Sequence, residues 1–445
     1  MILPPEAHPL ANAPVFTFTA PTYQRFSALL LGALLTTGRR IVANILRTLR
    51  HLAPGHRTSY QRVFSRAPWS GVALGCALAR FLLRHVVPEG AITLVGDDTV
   101  DGHKGKHVHG KARHRDPVRS THSYTTWRYG HRWVVLAVLV KFPFATRPRA
   151  LPILVDLYRS EEDNRKHNRP HRTPARLMCR LLRLLLIRFP DRTFVFVGDS
   201  GYGTHAVARL CHRHRDRLSL VSKLHPDANP FAPPPPYAGR GRPRIKGARL
   251  PKPRQVAATT PILIEMTVSW YGGGKRRVGT VSRAGHWYKA GRGLVPLRWA
   301  FVRDLTGTHR EEYSFTTDTN LAPAQVITRY ASRWNIETTF QEARCCLGLE
   351  STRGWCAKTV PRAGPCLLGL YTVVALLFAA MPESKRTGSV SWPGKAGVTF
   401  SDALCAVRRW LWAEAVLPQA GNATALKKLP EPIRELLLTT LAPAA

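Results

Sequence analysis

The chain has 445 residues, of which 44% are hydrophobic, and it carries 66 Lys and Arg against 27 Asp and Glu. This apolar content excludes a wholly disordered chain. The length exceeds the roughly 300 residues at which single hydrophobic cores stop growing, so more than one domain is expected. The formal net charge of +39 predicts a polyanionic partner, for which nucleic acid is the first candidate and an acidic membrane surface the second.

The cysteine pattern and the apolar runs predict an intracellular protein. None of the eight cysteines forms a C-x2-C pair, so no zinc finger is predicted. The length of the chain and its low cysteine density also argue against a disulfide framework. The N-terminal residues lack the basic-then-apolar order of a signal peptide. The longest apolar run, residues 366–381, is shorter than the ~20 residues that span a bilayer and predicts a buried helix. We therefore expect a cytoplasmic, DNA-associated bacterial protein with no membrane partner.

The first 224 residues change from helical to mixed α/β pattern. Residues 1–88 combine apolar, small and basic residues at helical spacing, and they predict a helical DNA-binding region, with a helical cap on the next domain as the alternative. Residues 89–224 predict a mixed α/β domain, because strand-like runs that end in acids alternate with helical segments. Within it, a pair of strands is expected to meet at a turn near Gly130, and a helix is expected around 173–188.

The second half of the chain predicts an insertion and a return to helices. Residues 225–317 begin with a Pro-, Gly- and Arg-rich segment that predicts an exposed basic loop without helix or central strand, and four strand-like runs follow. We interpret them as a β-rich insertion. The α/β domain then resumes over 318–358 with one helix that opens after residue 322 and ends at Gly348. Residues 359–445 predict a helical C-terminal region.

Three acids stand at the ends of predicted strands. Asp97 and Asp98 end one strand, and Asp199 ends another. Carboxylates at strand ends are held by the backbone while their tips stay open, and Mg²⁺ prefers such oxygen ligands. Because adjacent residues on a strand face opposite ways, Asp97 and Asp98 are alternatives for the first ligand position.

The predicted helix after residue 322 supplies a third acid. Tyr330, Arg333, Glu337 and Arg344 are separated by offsets of 3, 7 and 14 from the tyrosine. At ~100° per residue these side chains fall within an arc of about 60° on one helix face. The flanking cations favour an ionised carboxylate, and arginine and tyrosine are suited to phosphate oxygens. A solvated amphipathic face is the alternative.

Together these motifs resemble those of the DDE insertion-sequence transposases. The resemblance is to the branch with a Tyr-x2-Arg-x3-Glu-x6-Lys helix and a β-rich insertion domain, with Arg344 in place of the usual lysine. The first motif, Asp-x-Thr, is matched by residues 97–99, and its register favours Asp97 over Asp98. The second, an Asp followed by Gly and an aromatic residue, is matched by residues 199–202.

The resemblance implies a fold, a reaction and its cofactors. The expected fold is α/β, a ribonuclease H-like mixed sheet with flanking helices. Asp97, Asp199 and Glu337 are implied as catalytic ligands of two Mg²⁺ ions, for which Mn²⁺ could substitute. The implied reaction is cleavage at the element ends followed by transfer of the 3′-OH strands to target DNA. Double-stranded DNA, as terminal inverted repeats and as target, is the expected partner, and a homodimer is expected in the synaptic complex.

Further residues are predicted to contact DNA. The tyrosine and arginines of the helix follow from the resemblance, and the basic stretch 102–119 predicts a DNA-contacting loop. Tryptophans 287 and 299 could stack on an extruded base, although packing within a sheet is the alternative. The residues predicted to contact DNA are Tyr330, Arg333, Arg344, Lys104, Lys106, Lys111, Arg113 and Trp299.

Two other functions are compatible with the sequence. One is a non-catalytic nucleic-acid-binding protein, such as a decayed transposase, and the other is an endonuclease that hydrolyses DNA but never joins strands. Weaker motifs are set aside: His107-Val108-His109 lacks a defined tyrosine partner, the run 272–275 lacks the spacing of a phosphate-binding loop, and Ser200 is not in a G-x-S-x-G elbow.

Overall fold

The computed structural model describes residues 3–116, 119–237, 239, 241–387, 393–395, 397–419 and 428–443. The predicted basic stretch, the predicted insertion and the predicted C-terminal region therefore each include some residues that lie outside the described part of the chain.

The strands of the described part form a single mixed sheet. They are β1 (Ile92–Gly102), β2 (Ala112–Arg115), β3 (Trp127–Val140), β4 (Arg149–Tyr158), β5 (Phe194–Gly198), β6 (Leu218–Lys223), β7 (Pro230–Phe231), β8 (Ile264–Ser269), β9 (Lys275–Lys289), β10 (Gly293–Asp304) and β11 (Glu312–Thr316). The order is β2-β3-β1-β5-β6-β11-β10-β9-β7, with β4 also paired to β3 and β8 to β9.

The topology of the first strands identifies the fold class. β4, β3 and β1 form an antiparallel meander, and β5 and β6 then add parallel to β1. Parallel neighbours need a crossover connection, which helices supply here on the way into and out of β5. The order β4-β3-β1-β5-β6 is that of a ribonuclease H-like sheet, so the predicted fold class is confirmed. The strands of the predicted insertion extend this same sheet from the edge of β6.

Helices cover the sheet and both ends of the chain. The α-helices of the described residues are α1 (His8–Asn12), α2 (Ala20–Leu35), α3 (Val42–Leu49), α4 (Arg57–Ser65), α5 (Gly71–His85), α6 (Glu161–Lys166), α7 (Pro174–Arg188), α8 (His205–Arg213), α9 (Pro253–Thr259), α10 (Pro323–Ser332), α11 (Asn335–Leu347), α12 (Val360–Ala380), α13 (Phe400–Leu411) and α14 (Glu431–Leu441).

The terminal helices share a core with the sheet. α5 and α12 pack on β4, and α2 packs against α13, so one hydrophobic cluster runs through all three regions. This packing is what the cap alternative predicts for the N-terminal helices, and DNA binding by them stays a prediction. α12 has 21 residues and a mean hydropathy of 2.0, which by length and composition would allow it to cross a membrane. It contacts β4, α11 and α13, as expected of a core helix.

Three local predictions are wrong. The turn expected near Gly130 does not exist, because β3 runs straight through this glycine. A Cβ at Gly130 would lie 1.5 Å from the carbonyl oxygen of Asp101 on β1, so the glycine serves a close approach between strands. The helix expected to run to Gly348 is two helices, α10 and α11. The basic segment after residue 225 contains α9, since a proline is compatible with the first turn of a helix.

Candidate active site

Two of the predicted acids come together through the pairing of parallel strands. Gly96 of β1 pairs with Gly198 of β5, so Asp97 and Asp199 follow at the same level on neighbouring strands. Burial raises the pKa of the Asp97 carboxyl to about 8, and the negative charge of Asp199 acts in the same direction. Burial also raises the pKa of Asp199. The negative charge of Asp98 acts in the same direction on the pKa of Asp199, as is common where a protein concentrates acids for chemistry.

Arg333 links the third acid to the first. Its Nη1 donates to Asp97 Oδ2 at 2.9 Å, and its Nη2 donates to Glu337 Oε1 at 2.7 Å. Only 13% of the Arg333 side chain is exposed. Burial acts to lower the pKa of this guanidinium, but the Asp97 and Glu337 carboxylates outweigh burial and raise that pKa. Asp97 and Glu337 are therefore held by a single, largely buried arginine, and the charge of the same arginine acts to lower the pKa of Asp199.

The junction between α10 and α11 places Arg333. The backbone N–H groups of Ile336 and Glu337 donate to the carbonyls of Arg333 and Trp334, which is the i to i+3 pattern of a tight 3₁₀ turn. The sequence prediction of one helix missed this change. The side chains of Arg333 and Glu337 nevertheless remain neighbours, because they are four residues apart on a right-handed helical path.

Asp98 faces the opposite side of the sheet. Its carboxylate accepts two hydrogen bonds from Arg132, at 2.6 Å from Nε and 3.0 Å from Nη2. The Tyr202 hydroxyl donates to Asp98 at 3.2 Å. No sequence motif pointed to Arg132, because its contact with Asp98 depends on the pairing of β1 with β3. This arrangement favours Asp97 over Asp98 as the partner of Asp199 and Glu337.

The turn after β5 fixes Asp199. Its Oδ1 accepts the backbone N–H of Gly201 at 2.9 Å and that of Tyr202 at 3.3 Å. Ser222 on β6 donates its hydroxyl to the Asp199 carbonyl at 2.8 Å. Tyr202 is 1% exposed and anchors the turn in the core. The aromatic residue of the second motif thus holds the turn that positions the acid.

The remaining residues of the helix signature lie beside the acids. Tyr330 is 7% exposed, and burial raises the pKa of its hydroxyl to about 12. Arg344 donates to the Thr99 hydroxyl and lies 3.5 Å from the Glu350 carboxylate. Because Thr99 is two residues beyond Asp97 on β1, Arg344 lies on the same face of the sheet as the acids. Contact of these side chains with DNA stays a prediction.

The predicted basic loop follows β1. Lys104, Lys106 and Arg113 are exposed. Lys111 donates to the Gly105 carbonyl at 2.8 Å, which closes the loop on itself. β1 carries Asp97 and leads directly into this loop. The exposed cations of the loop therefore follow the strand that holds the first acid.

Trp299 is a correction to the predicted DNA contacts. Its side chain is 1% exposed on β10, within the main hydrophobic core. The ring therefore packs inside the sheet, as the alternative interpretation expects, and its faces are not available to a base. Trp287, on the neighbouring strand β9, is partly buried against the same core.

A buried Asp/His/His cluster lies further along β1, and sequence reasoning missed it. Among the described residues, Asp101, His103 and His131 form a group whose ligand atoms lie within 4.8 Å of one another. Asp101 also accepts the His131 backbone N–H at 2.8 Å and the Trp133 indole N–H at 2.9 Å. Burial acts to raise the pKa of Asp101, but hydrogen bonds from both histidines hold it well below its usual range. The cluster braces β1 against β3, and its nitrogen donors differ from the oxygen ligands that Mg²⁺ prefers.

A family model shows which family the chain belongs to. The model described as "DDE superfamily endonuclease" matches residues 16–277. The chain belongs to this family. The match confirms the resemblance inferred from the motifs; it includes Asp97 and Asp199 and ends before Glu337. Membership of the DDE family implies a site that uses a divalent metal.

The comparison with solved structures gives a distant likeness. A piggyBac transposase synaptic complex with hairpin DNA, studied by cryo-electron microscopy, is 10% identical to the chain with a TM-score of 0.41. The alignment covers 96% of this chain and 77% of that one. No curated protein matches the chain.

Proposed function

We propose that this DDE endonuclease is a DNA transposase that cuts at the ends of its own element and transfers the 3′-OH strands to target DNA. The observation that supports this proposal is that Arg333 holds both Asp97 and Glu337, while Asp199 follows at the level of Asp97 on the neighbouring strand of a ribonuclease H-like sheet. The net charge of +39 supports DNA as the substrate.

The residues present fit a divalent cation. Asp97 and Asp199 offer hard oxygen donors, and burial together with their mutual repulsion raises the pKa of Asp97 to about 8. A cation between them would relieve that repulsion and favour both carboxylates in the ionised form. When bound, two Mg²⁺ ions would activate the attacking oxygen and stabilise the leaving one. Asp97, Asp199 and Glu337 are the proposed ligands.

The other side chains of the site would position the substrate. Arg333 already contacts Asp97 and Glu337, so it sets the separation of these two acids and brings a fixed positive charge to the place where a phosphate would lie. The bidentate contact of Arg132 with Asp98 would fix β1 next to Asp97 from the opposite face. Arg344 would hold Thr99 and contribute a second cation on the acid face.

The experiment uses purified full-length protein with DNA that carries the terminal inverted repeats of the element. End cleavage and strand transfer to a plasmid are measured with Mg²⁺, with Mn²⁺ and with EDTA. Asp199→Asn and Glu337→Gln are each expected to lower the rates of both reactions by on the order of 10³-fold. The control substitutions Asp191→Asn and Glu431→Gln make the same chemical changes at exposed residues outside the site and should leave both reactions unchanged. Equal cleavage by Asp199→Asn and wild type would reject the proposal.

Two other results would redirect the assignment. Metal-dependent cleavage without joining would identify an endonuclease that only hydrolyses DNA. Salt-sensitive DNA binding by wild type, with no cleavage under any metal condition, would identify a non-catalytic binding protein.

A further inference from the structure

A groove lined by arginines lies between α7 and α8. Seventeen residues line it, eight of them are Lys or Arg, and none of the seventeen, all within the described part of the chain, is acidic. Across the whole chain, 66 of 445 residues are Lys or Arg. The groove therefore has about three times the average density of cations. Apart from Arg180, the arginines that line the groove are Arg172, Arg176, Arg183, Arg209, Arg213 and Arg292.

The two helices present these cations in rows. Arg176 and Arg183 are seven residues apart, two turns along α7, and Arg209 and Arg213 are one turn apart on α8. The opposite faces of both helices are apolar and buried in the core. Two helical turns cover ~10 Å, a length over which one strand of a duplex presents about three phosphates.

These arginines are free to meet an external anion. Arg180, which also lines the groove, pairs with Asp156. The six arginines named above make no ion pair within the residues that the structure describes. Five of the six are exposed, and Arg209 is half-buried. Unpaired, closely spaced guanidinium groups repel one another, and a polyanion would relieve that repulsion.

The groove lies on the far side of the sheet from the acids but begins at the same edge. A Cβ on Gly96 would lie 2.6 Å from the Met178 side chain of α7, whereas the next residue, Asp97, faces Arg333. α8 starts at His205, a few residues after Asp199, so the mouth of the groove lies at the carboxyl end of β5. A bound molecule could therefore pass from the acids round this edge into the groove.

We propose that the arginine groove binds the sugar-phosphate backbone of the duplex DNA that continues beyond the cleavage position. The proposal rests on the transposase function proposed above. Duplex DNA fits better than a membrane, because most of the exposed side chains that line the groove are cations, and none of them is a large apolar side chain of the kind that inserts into a bilayer. Its contacts are to phosphate, so they contribute affinity without sequence preference.

The test compares two double variants with the same loss of charge. Arg176→Gln with Arg213→Gln removes one groove arginine on each helix. Arg188→Gln with Arg215→Gln removes exposed arginines at the end of α7 and just after α8, outside the groove. Binding of 12-bp and 40-bp duplexes is measured by fluorescence anisotropy over a range of salt concentrations, after circular dichroism and melting have shown that both variants are folded.

For the groove variant we expect weaker binding to the long duplex only. Each lost phosphate contact lowers the slope of log K against log salt by ~0.9, so the double variant should lose about 1.8. The control variant should keep the wild-type slope for both duplexes. Equal slopes for the two variants on the 40-bp duplex would overturn the proposal.

This result is separable from the proposed catalysis. If wild type cuts DNA and the groove variant binds as the control does, the inference fails while the transposase function stands. If wild type never cuts but the groove variant loses long-duplex binding, the catalytic proposal fails while the groove remains a DNA surface.

Discussion

The two faces of the sheet use arginine in opposite ways. On the acid face, Arg333 is 13% exposed and its guanidinium is shared between two carboxylates. On the other face, the groove between α7 and α8 holds six arginines, five of them exposed, that make no ion pair within the described residues. A buried, paired arginine fixes the positions of other groups, whereas exposed, unpaired ones bind whatever polyanion arrives. The comparison separates residues that set geometry from residues that set affinity.

The largest expected effect follows removal of an acid. Asp199→Asn keeps the size of the side chain and its contact with the Gly201 N–H, but loses a ligand charge beside Asp97. We expect single-turnover cleavage to fall by on the order of 10³-fold, because charge stabilisation at the reacting phosphate depends on it. DNA affinity should change less than threefold. A matched fall in affinity and cleavage would contradict the division between the two faces.

Arg333→Gln should have the next largest effect. The variant leaves the Asp97 and Glu337 carboxylates without their shared partner, so their separation is no longer fixed. Cleavage should fall by roughly 10–100-fold, as is typical when a group that orients ligands is lost. The expected loss lies in the rate at saturating DNA, with Arg310→Gln, an exposed arginine elsewhere, as the control. A loss confined to DNA affinity would make Arg333 a binding residue instead.

The sequence predicted features that depend on local pattern. The strand at 194–198 and the limits of the helical segment at Pro323 and Gly348 are as expected, since proline suits a first turn and Gly348 adopts the left-handed conformation, with φ 65°. The candidate acids were also identified, because carboxylates are rare in this chain. Asp199 directly follows β5 as expected, whereas Asp97 and Asp98 lie within β1, which continues to Gly102, so their expected place at a strand end is wrong.

Features that depend on packing could not be predicted. Gly130 has the composition of a turn, and only the close approach of β1 shows why a glycine is needed within a strand. Neither the contact of Arg132 with Asp98 nor the arginine groove leaves a sequence signal, because the partners lie on separate elements that meet only in the folded chain. The prediction that Trp299 contacts DNA was wrong for a different reason. An aromatic side chain can pack in a core or stack on a base, and only its burial in the folded chain decides between the two.

A pH experiment examines the buried polar layer on the face of Asp98. Burial, with the charge of Arg132, lowers the pKa of His114 from 6.5 to about 4. The pKa of His114 is lower in the folded state than in the unfolded state. The stability of the fold that depends on a neutral His114 is therefore present above pH 6.5 and is lost as the pH falls toward 4. The free energy of unfolding should fall by about 2 kcal/mol more in wild type than in His114→Gln between pH 8 and 5. Urea unfolding measures this, and the exposed His122→Gln should behave as wild type.

The smallest expected effect concerns the position at which this chain departs from the family helix signature. Arg344 donates to Thr99 and lies near Glu350, which also pairs with Arg128. Lysine keeps the charge but cannot donate from a planar fork, so Arg344→Lys should slow cleavage by about 2–5-fold, the cost of a weakened half-exposed contact. Arg344→Gln also removes the charge and should slow it further. If both variants cut equally slowly in single-turnover assays, the fork matters and the charge does not, and Arg344 then belongs with Arg333 among the residues that set geometry.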